Sequence, residues 1–355
     1  VEGVDVTFWN GRRVFLTGHT GFKGSWLSAW LSRRGARVTG YALAPPTTPS
    51  LFEQAQLEAR LARSLMADVR DLPTLERSLR DSDAEIVFHL AAQALVRDSY
   101  VDPVGTFASN VMGTVNVLEA VRRAPSVRAV VVVTSDKCYE NREWVWPYRE
   151  NDAMGGYDPY SASKGCAELV TAAYARSFFD ERAAFIASVR AGNVIGGGDW
   201  AKDRLIPDAV RAFSDKQTIR LRNPLATRPW QHVLEPLGAY LAIGQALLER
   251  RVEAKGAWNV GPSSADVRTV AGVIDAFAPH FGPWAGWSKD GAEHPHEARA
   301  LALDSTRLST TLGWRPRLAL DGALGWTATW YLDVARGKPA YDATIADIER
   351  YEALS

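Results

Sequence analysis

An excess of charge of either sign is missing from this 355-residue chain: Lys and Arg number 41, Asp and Glu number 41, and the formal net charge is zero. A general electrostatic hold on nucleic acid or on an anionic membrane surface is therefore not expected. Cysteine is almost absent as well, and Cys138 and Cys166 form no CxxC pair, no zinc spacing and no disulfide framework. No uninterrupted apolar run approaches the roughly 18 residues of a membrane span. Residues 1–10 lack the charged start and apolar stretch of a signal peptide. These absences predict a soluble protein of a reducing cytoplasm, with neither nucleic acid nor membrane as partner. The pair His294 and His296 has no third ligand nearby, so no metal is expected.

What is present is a strongly alternating pattern. Hydrophobic residues make up 46% and charged residues 23%, globular values, and the length suggests about two domains. From Arg12 to Arg190, short β-branched runs alternate with amphipathic helical stretches, the mark of a parallel sheet with helices on both faces. Strands are predicted at 13–17, 37–42, 64–66, 86–90, 129–134 and 184–189, mostly runs too uniformly apolar to have a wet face. Val104, Phe107, Ala108, Val111, Val115 and Leu118 recur at the spacing of one helix face, with Asp102-Pro103 as its start and Arg122 and Arg123 at its end. Beyond Asn193 glycine and proline break the alternation. Residues 234–248 read as a buried helix and 258–260 as one more strand, so the two domains are expected to interleave. One comprises 1–192 plus about 230–260, and a smaller α/β unit comprises 193–229 and 261–355.

The first strand runs directly into Gly18-His19-Thr20-Gly21-Phe22-Lys23-Gly24 and then a helical stretch. In that context glycines let a pyrophosphate approach the backbone at a helix N-terminus. A P-loop needs glycine before the lysine and Ser or Thr after it; the order Lys23-Gly24-Ser25 disfavours an NTPase. The second strand ends in Tyr41-Ala42-Leu43-Ala44-Pro45, with neither the acid of an NAD site nor the arginine of an NADP site. Asp68, after the third strand, is placed to meet an adenine amine. Further on, Tyr160 and Lys164 stand four residues apart, on one face of a helix. A tyrosine is a poor base at neutral pH unless a cation stabilises its phenolate, and then it can accept an alcohol proton during hydride transfer.

Those motifs, with "HLAAQ" from His89, "TSDKCYEN" from Thr134, "DPYSASKGCAELV" from Asp158, "NVIGGGDWAKDRLIPD" from Asn193 and "RPWQHVLEPL" from Arg228, resemble the extended short-chain dehydrogenase/reductase family. Within it they are most similar to the nucleotide-sugar 4,6-dehydratases of the CDP-glucose branch. The resemblance covers nearly the whole chain. It implies a Rossmann-type doubly wound sheet with a smaller substrate domain, and tightly held NAD. By the same resemblance the cofactor is bound by Gly18, Thr20, Gly21, Phe22, Lys23, Gly24, Asp68, Val69, Leu90, Ala91, Ala92, Tyr160 and Lys164. The resemblance likewise gives CDP-glucose as substrate, bound by Gln93, Ser135, Asn193, Arg204, Arg228 and Arg299. A homodimer or homotetramer paired through the helices near 104–122 and 160–175 is implied too, as is a place in deoxysugar synthesis for surface polysaccharide.

The resemblance further assigns Ser135 to the sugar 4-hydroxyl and Asp136-Lys137 to the dehydration. Many related dehydratases carry Asp-Glu where this chain has Asp-Lys. Elimination beside a transient ketone needs a base for the carbon 5 proton and an acid for the carbon 6 hydroxyl. Lys137, held neutral, is read as the base and a protonated Asp136 as the acid, completing a set with Ser135, Tyr160 and Lys164.

Overall fold

The computed structural model describes residues 7–179, 184–263, 266–292 and 300–354. Its centre is a seven-stranded sheet built from β1 (Arg13–Thr17), β2 (Arg37–Ala42), β3 (Arg63–Met66), β4 (Ile86–His89), β5 (Ala129–Val133), β6 (Phe185–Ala191) and β7 (Gly256–Val260). The order is β7-β6-β5-β4-β1-β2-β3 and every neighbouring pair is parallel. The runs read as strands are strands, with ends shifted by a residue or two. Their uniform apolarity follows from burial on both faces. In β5, Ala129, Val131 and Val133 join one apolar cluster while Val130 and Val132 join another on the opposite face, the pleat serving both layers at once.

Strand order reverses between β1 and β4, and the crevice outside the carboxyl ends of such strands is where ligands bind in open α/β sheets. Helix α1 (Phe22–Arg33) follows β1 directly. The stretch read as one helix is continuous but not uniform: Pro103–Phe107 is α-helical, Ala108–Met112 makes a π turn and Gly113–Arg122 returns to α. We call the whole α2, and Asp102 caps its start by accepting from the Gly105 amide. The apolar stripe splits. Val104 and Phe107 are exposed, Leu118 is buried, and the buried side also carries Thr106, Asn110, Thr114 and Val117.

Helix α3 (Pro159–Phe178) lies beside α2, its first amides capped by Asp158. Beyond β6 the chain leaves the sheet for three two-stranded ladders, pairing Val194–Ile195 with Gln231–His232, Thr227–Pro229 with Val267–Thr269, and Ile219–Leu221 with Trp287–Lys289. It returns through α4 (Leu234–Leu248), almost wholly buried, and β7. No helix among the described residues is long and apolar enough to cross a membrane.

Candidate active site

The glycine loop is held shut by its own backbone. Gly18 has φ +76°, and a Cβ there would come within 2.7 Å of the Ala91 amide nitrogen; one on Gly24 would lie 2.0 Å from the Gly18 carbonyl oxygen. A Cβ on Gly21 would meet nothing nearer than that same oxygen at 3.4 Å, so the space over Gly21 is open. Gly21 is the N-cap of α1, with no side chain capping the helix and no acid in its first turn. An open cradle at an unneutralised helix N-terminus fits a dinucleotide pyrophosphate. Thr20 donates to the Leu43 carbonyl at 2.8 Å and so fixes the loop to the end of β2.

Thr17 ties the neighbouring loop down. Its Oγ1 accepts from the Leu90 and Ala91 amides at 3.1 Å each and lies 2.8 Å from His89 Nδ1. Burial pushes His89 down to about 3, so its ring is neutral. Val69 is buried in the apolar layer around Phe15 and Val117. The Asp68 carboxylate is engaged by Arg70 through the amide at 2.9 Å and the guanidinium at 2.9 and 2.6 Å, and an adenine amine would have to share it.

Asn110, on the π turn, is the residue that composition and spacing did not reveal. Its side chain accepts from the Gln93 amide at 2.8 Å and donates to the Gln93 carbonyl at 3.0 Å and to Ser163 Oγ at 2.8 Å. It thereby joins the loop after β4 to α3, and π turns are often found at functional sites. Gln93 itself donates to the Leu95 carbonyl at 2.8 Å and does not line the cavity described next.

That cavity, about 960 Å³, opens at the carboxyl end of the sheet, at the upper end of the range for small-molecule sites. Lys23, Ser135, Lys137, Tyr160, Asn193, Arg204 and Arg228 all line it, brought together from six separate stretches of chain. Arg299 lies outside the described residues, as do His294 and His296. Sequence reasoning passed over Arg97, Arg220 and Arg222, which also line it. The alternation Arg220-Leu221-Arg222 on a strand was the available signal, since it puts two guanidinium groups on one face. Arg97 and Arg222 both contact Asp203, at 3.1 and 2.9 Å, and Arg204 pairs with Asp199 at 3.2 Å.

The chemical groups sit where β5 ends. Ser135 caps the short turn Asp136–Cys138 by accepting from the Lys137 amide at 3.2 Å, and it donates to Asp136 Oδ1 at 2.9 Å. Lys137 Nζ is 3.5 Å from the same oxygen. The other oxygen, Asp136 Oδ2, is buried without a partner. Burial pushes the Tyr160 phenol up to about 12, partly offset by its hydrogen bond with Ser135. Lys164 donates to the Val133 carbonyl at 3.4 Å, and burial pushes its ammonium down to about 8. Lys23 is pushed down to about 7, first by burial and then by the like charges of Arg204 and Lys164. A cavity crowded with cations suits an anionic, diphosphate-bearing ligand. Among the described residues no cluster of His, Cys, Asp and Glu could hold a metal ion.

A strand, glycine cradle and helix, with a tyrosine and lysine over the sheet's carboxyl end, define a nicotinamide-dependent enzyme class. The family model of the NAD dependent epimerase/dehydratase family matches residues 14–261, and the chain belongs to that family. Among curated proteins, the CDP-glucose 4,6-dehydratase of Salmonella typhimurium is 51% identical over 353 residues, covering 98% of each chain. The dTDP-glucose 4,6-dehydratase of Streptomyces antibioticus is 28% identical over 274 residues, 75% of each chain. Of solved structures, a UDP-glucose-4-epimerase from Stenotrophomonas maltophila with bound NAD covers 92% of this chain and all of its own at TM-score 0.80 and 22% identity, a likeness of fold.

Proposed function

We propose that this chain is a CDP-glucose 4,6-dehydratase, converting CDP-D-glucose to CDP-4-keto-6-deoxy-D-glucose with loss of water. The observation that carries the reading is the placement of Asp136 and Lys137, in mutual contact beside Ser135 and Tyr160, with one buried carboxylate oxygen left for a ligand. An epimerase has no use for a second acid and base at that point. The glycine cradle Gly18–Gly24 with Tyr160 and Lys164 would hold NAD, which would supply a hydride acceptor for carbon 4 and a hydride donor for carbon 6.

The chain's own groups handle the protons. Tyr160 takes the 4-hydroxyl proton, and the resulting ketone acidifies the hydrogen on carbon 5. The elimination calls for one proton to pass from Lys137 Nζ to Asp136 Oδ1, 3.5 Å away, which turns the ion pair into a neutral amine and a carboxylic acid. The amine removes the carbon 5 proton and later returns it; the acid protonates the leaving 6-hydroxyl. The cycle ends with Tyr160 protonated and Asp136 ionised. Ser135 hydrogen-bonds the phenol on one side and Asp136 on the other, and is placed to carry the proton back.

The diphosphate falls to the basic wall, Arg204 and Arg228 foremost, and the nucleotide to segments 193–229 and 261–355, which form the substrate domain. Two free cysteines suit the reducing cytoplasm in which we place the enzyme. Two copies pair through the exposed apolar positions Val101, Val104, Phe107 and Met112 of the α2 region and Leu169 and Phe178 of α3, since such a surface is usually covered. The test is to offer CDP-, UDP-, dTDP- and GDP-glucose in turn, with NAD, and to weigh the products by mass spectrometry. Loss of one water from CDP-glucose in preference to the others is expected. An isobaric product would return the site to the epimerases.

A further inference from the structure

Behind the cavity lies a buried carboxylate that the proposed proton transfers do not use. Glu168 follows Lys164 by one helical turn on α3, so the two side chains share a face, and it is 4% exposed. Thr134 Oγ1 donates to its Oε1; Ser188 Oγ donates to Oε2 at 2.8 Å and Arg190 at 2.7 Å. Thr134 directly precedes Ser135, and Ser188 and Arg190 belong to β6. The end of β5, β6 and α3 therefore meet on one charged group beside the catalytic serine and lysine. A buried ion pair is a poor source of stability compared with apolar packing of the same volume, which points to a role in the charge balance of the site.

Lys164 is the group it serves. Burial drives that ammonium toward neutrality, and Glu168 is the main influence opposing it. The other titratable groups nearby do not act in its place. On β4, His89 is neutral and bonded to Thr17 and Thr114. Lys23 on α1 has the same sign as Lys164. In the turn after β5, burial raises the thiol of Cys138 and the phenol of Tyr139, while Asp136 and Lys137 engage each other. Arg190 spends its other donor on Tyr139 and the Glu150 carbonyl.

We propose that Glu168 is a positioning residue that keeps Lys164 protonated for Tyr160 and clamps the Thr134-Ser135 corner to the catalytic helix. The role in catalysis rests on the dehydratase reading; the effect on Lys164 does not. The chain has eight lysines, few enough for NMR of protein labelled with ¹³C at the lysine ε-carbon, with the Lys164 signal assigned by its loss in Lys164→Met. In Glu168→Gln the Lys164 titration midpoint is expected to fall by about one unit or more, and the alkaline limb of kcat/KM to move to lower pH with it. Ser188→Ala, which removes one hydrogen bond and no charge, is expected to leave the midpoint unchanged. If Glu168→Gln does not fold, Glu168→Gln with Arg190→Met removes both buried charges and leaves neither ion unpaired, and a fall in the same direction is expected, smaller because the like charge of Arg190 is removed as well. An unchanged Lys164 midpoint in the folded variant overturns the proposal, whatever sugar nucleotide the enzyme consumes. Failure of the wild type to dehydrate CDP-glucose overturns only the catalytic reading.

Discussion

Tyr160, Asp136 and Lys137 are each held by neighbours that fix what they can do. With the phenol raised to about 12 by burial, Tyr160 depends on cations nearby to act as a base. Tyr160→Phe is expected to lower turnover by about 10²-fold or more while leaving CDP-glucose binding, followed by calorimetry, within about twofold. Lys137→Ala is expected to permit oxidation at carbon 4 but to block elimination, so that reduced cofactor accumulates at 340 nm; normal water loss in this variant would remove Lys137 as the base. Much of this group is legible in the sequence, because Tyr160 with Lys164 and Ser135 with Asp136 and Lys137 are local in the chain and their spacing carries their geometry. Asn110, Glu168 and Arg190 are not, since each acquires its role from partners on distant strands, and an isolated Asn, Glu or Arg gives no sign of burial.

At the scale of elements, the glycine loop and α1 behave as one unit. Gly24→Ala forces a methyl against the Gly18 carbonyl, and a drop in NAD affinity of about tenfold or more is expected by titration. Within α4, Leu237 is fully buried, and Leu237→Ala is expected to cost about 2–5 kcal/mol in denaturant unfolding. The same helix carries Glu235, buried and pushed up to about 7, where it accepts from the Arg317 and Leu318 amides and from Tyr351. A carboxyl whose pKa is higher folded than unfolded stabilises most below its unfolded value and loses that contribution as pH rises through the folded one. The melting temperature is therefore expected to decline between about pH 5 and 8, and Glu235→Gln to flatten that decline; an identical slope in the variant would assign it elsewhere. Strands and α4 were readable from their uniform apolarity. The π turn in α2 was not, because the bonds Asn110 makes there, to Gln93 and Ser163, join segments far apart in the sequence.

Across the whole molecule, a parallel sheet brings the glycine loop and the groups proposed to handle protons to one end, where residues from the segments that leave the sheet after β6 line the same cavity. The apolar residues left outside on α2 and α3 define the proposed pairing face. Val104→Asp with Leu169→Asp is expected to halve the mass seen by sedimentation without disturbing the sheet; an unchanged mass would place the contact on another surface. The stripe was visible in the sequence, but its direction was not, since periodicity identifies a face without saying whether core or partner covers it. In the proposed reaction one site oxidises carbon 4, removes water across carbons 5 and 6, and delivers the same hydride to carbon 6. The direct measurement is turnover of CDP-glucose carrying deuterium at carbon 4. A product lighter by one water, with the deuterium now on carbon 6 and no net reduced cofactor, is the expected result. Deuterium still at carbon 4, or lost from the sugar into the cofactor pool, would contradict it.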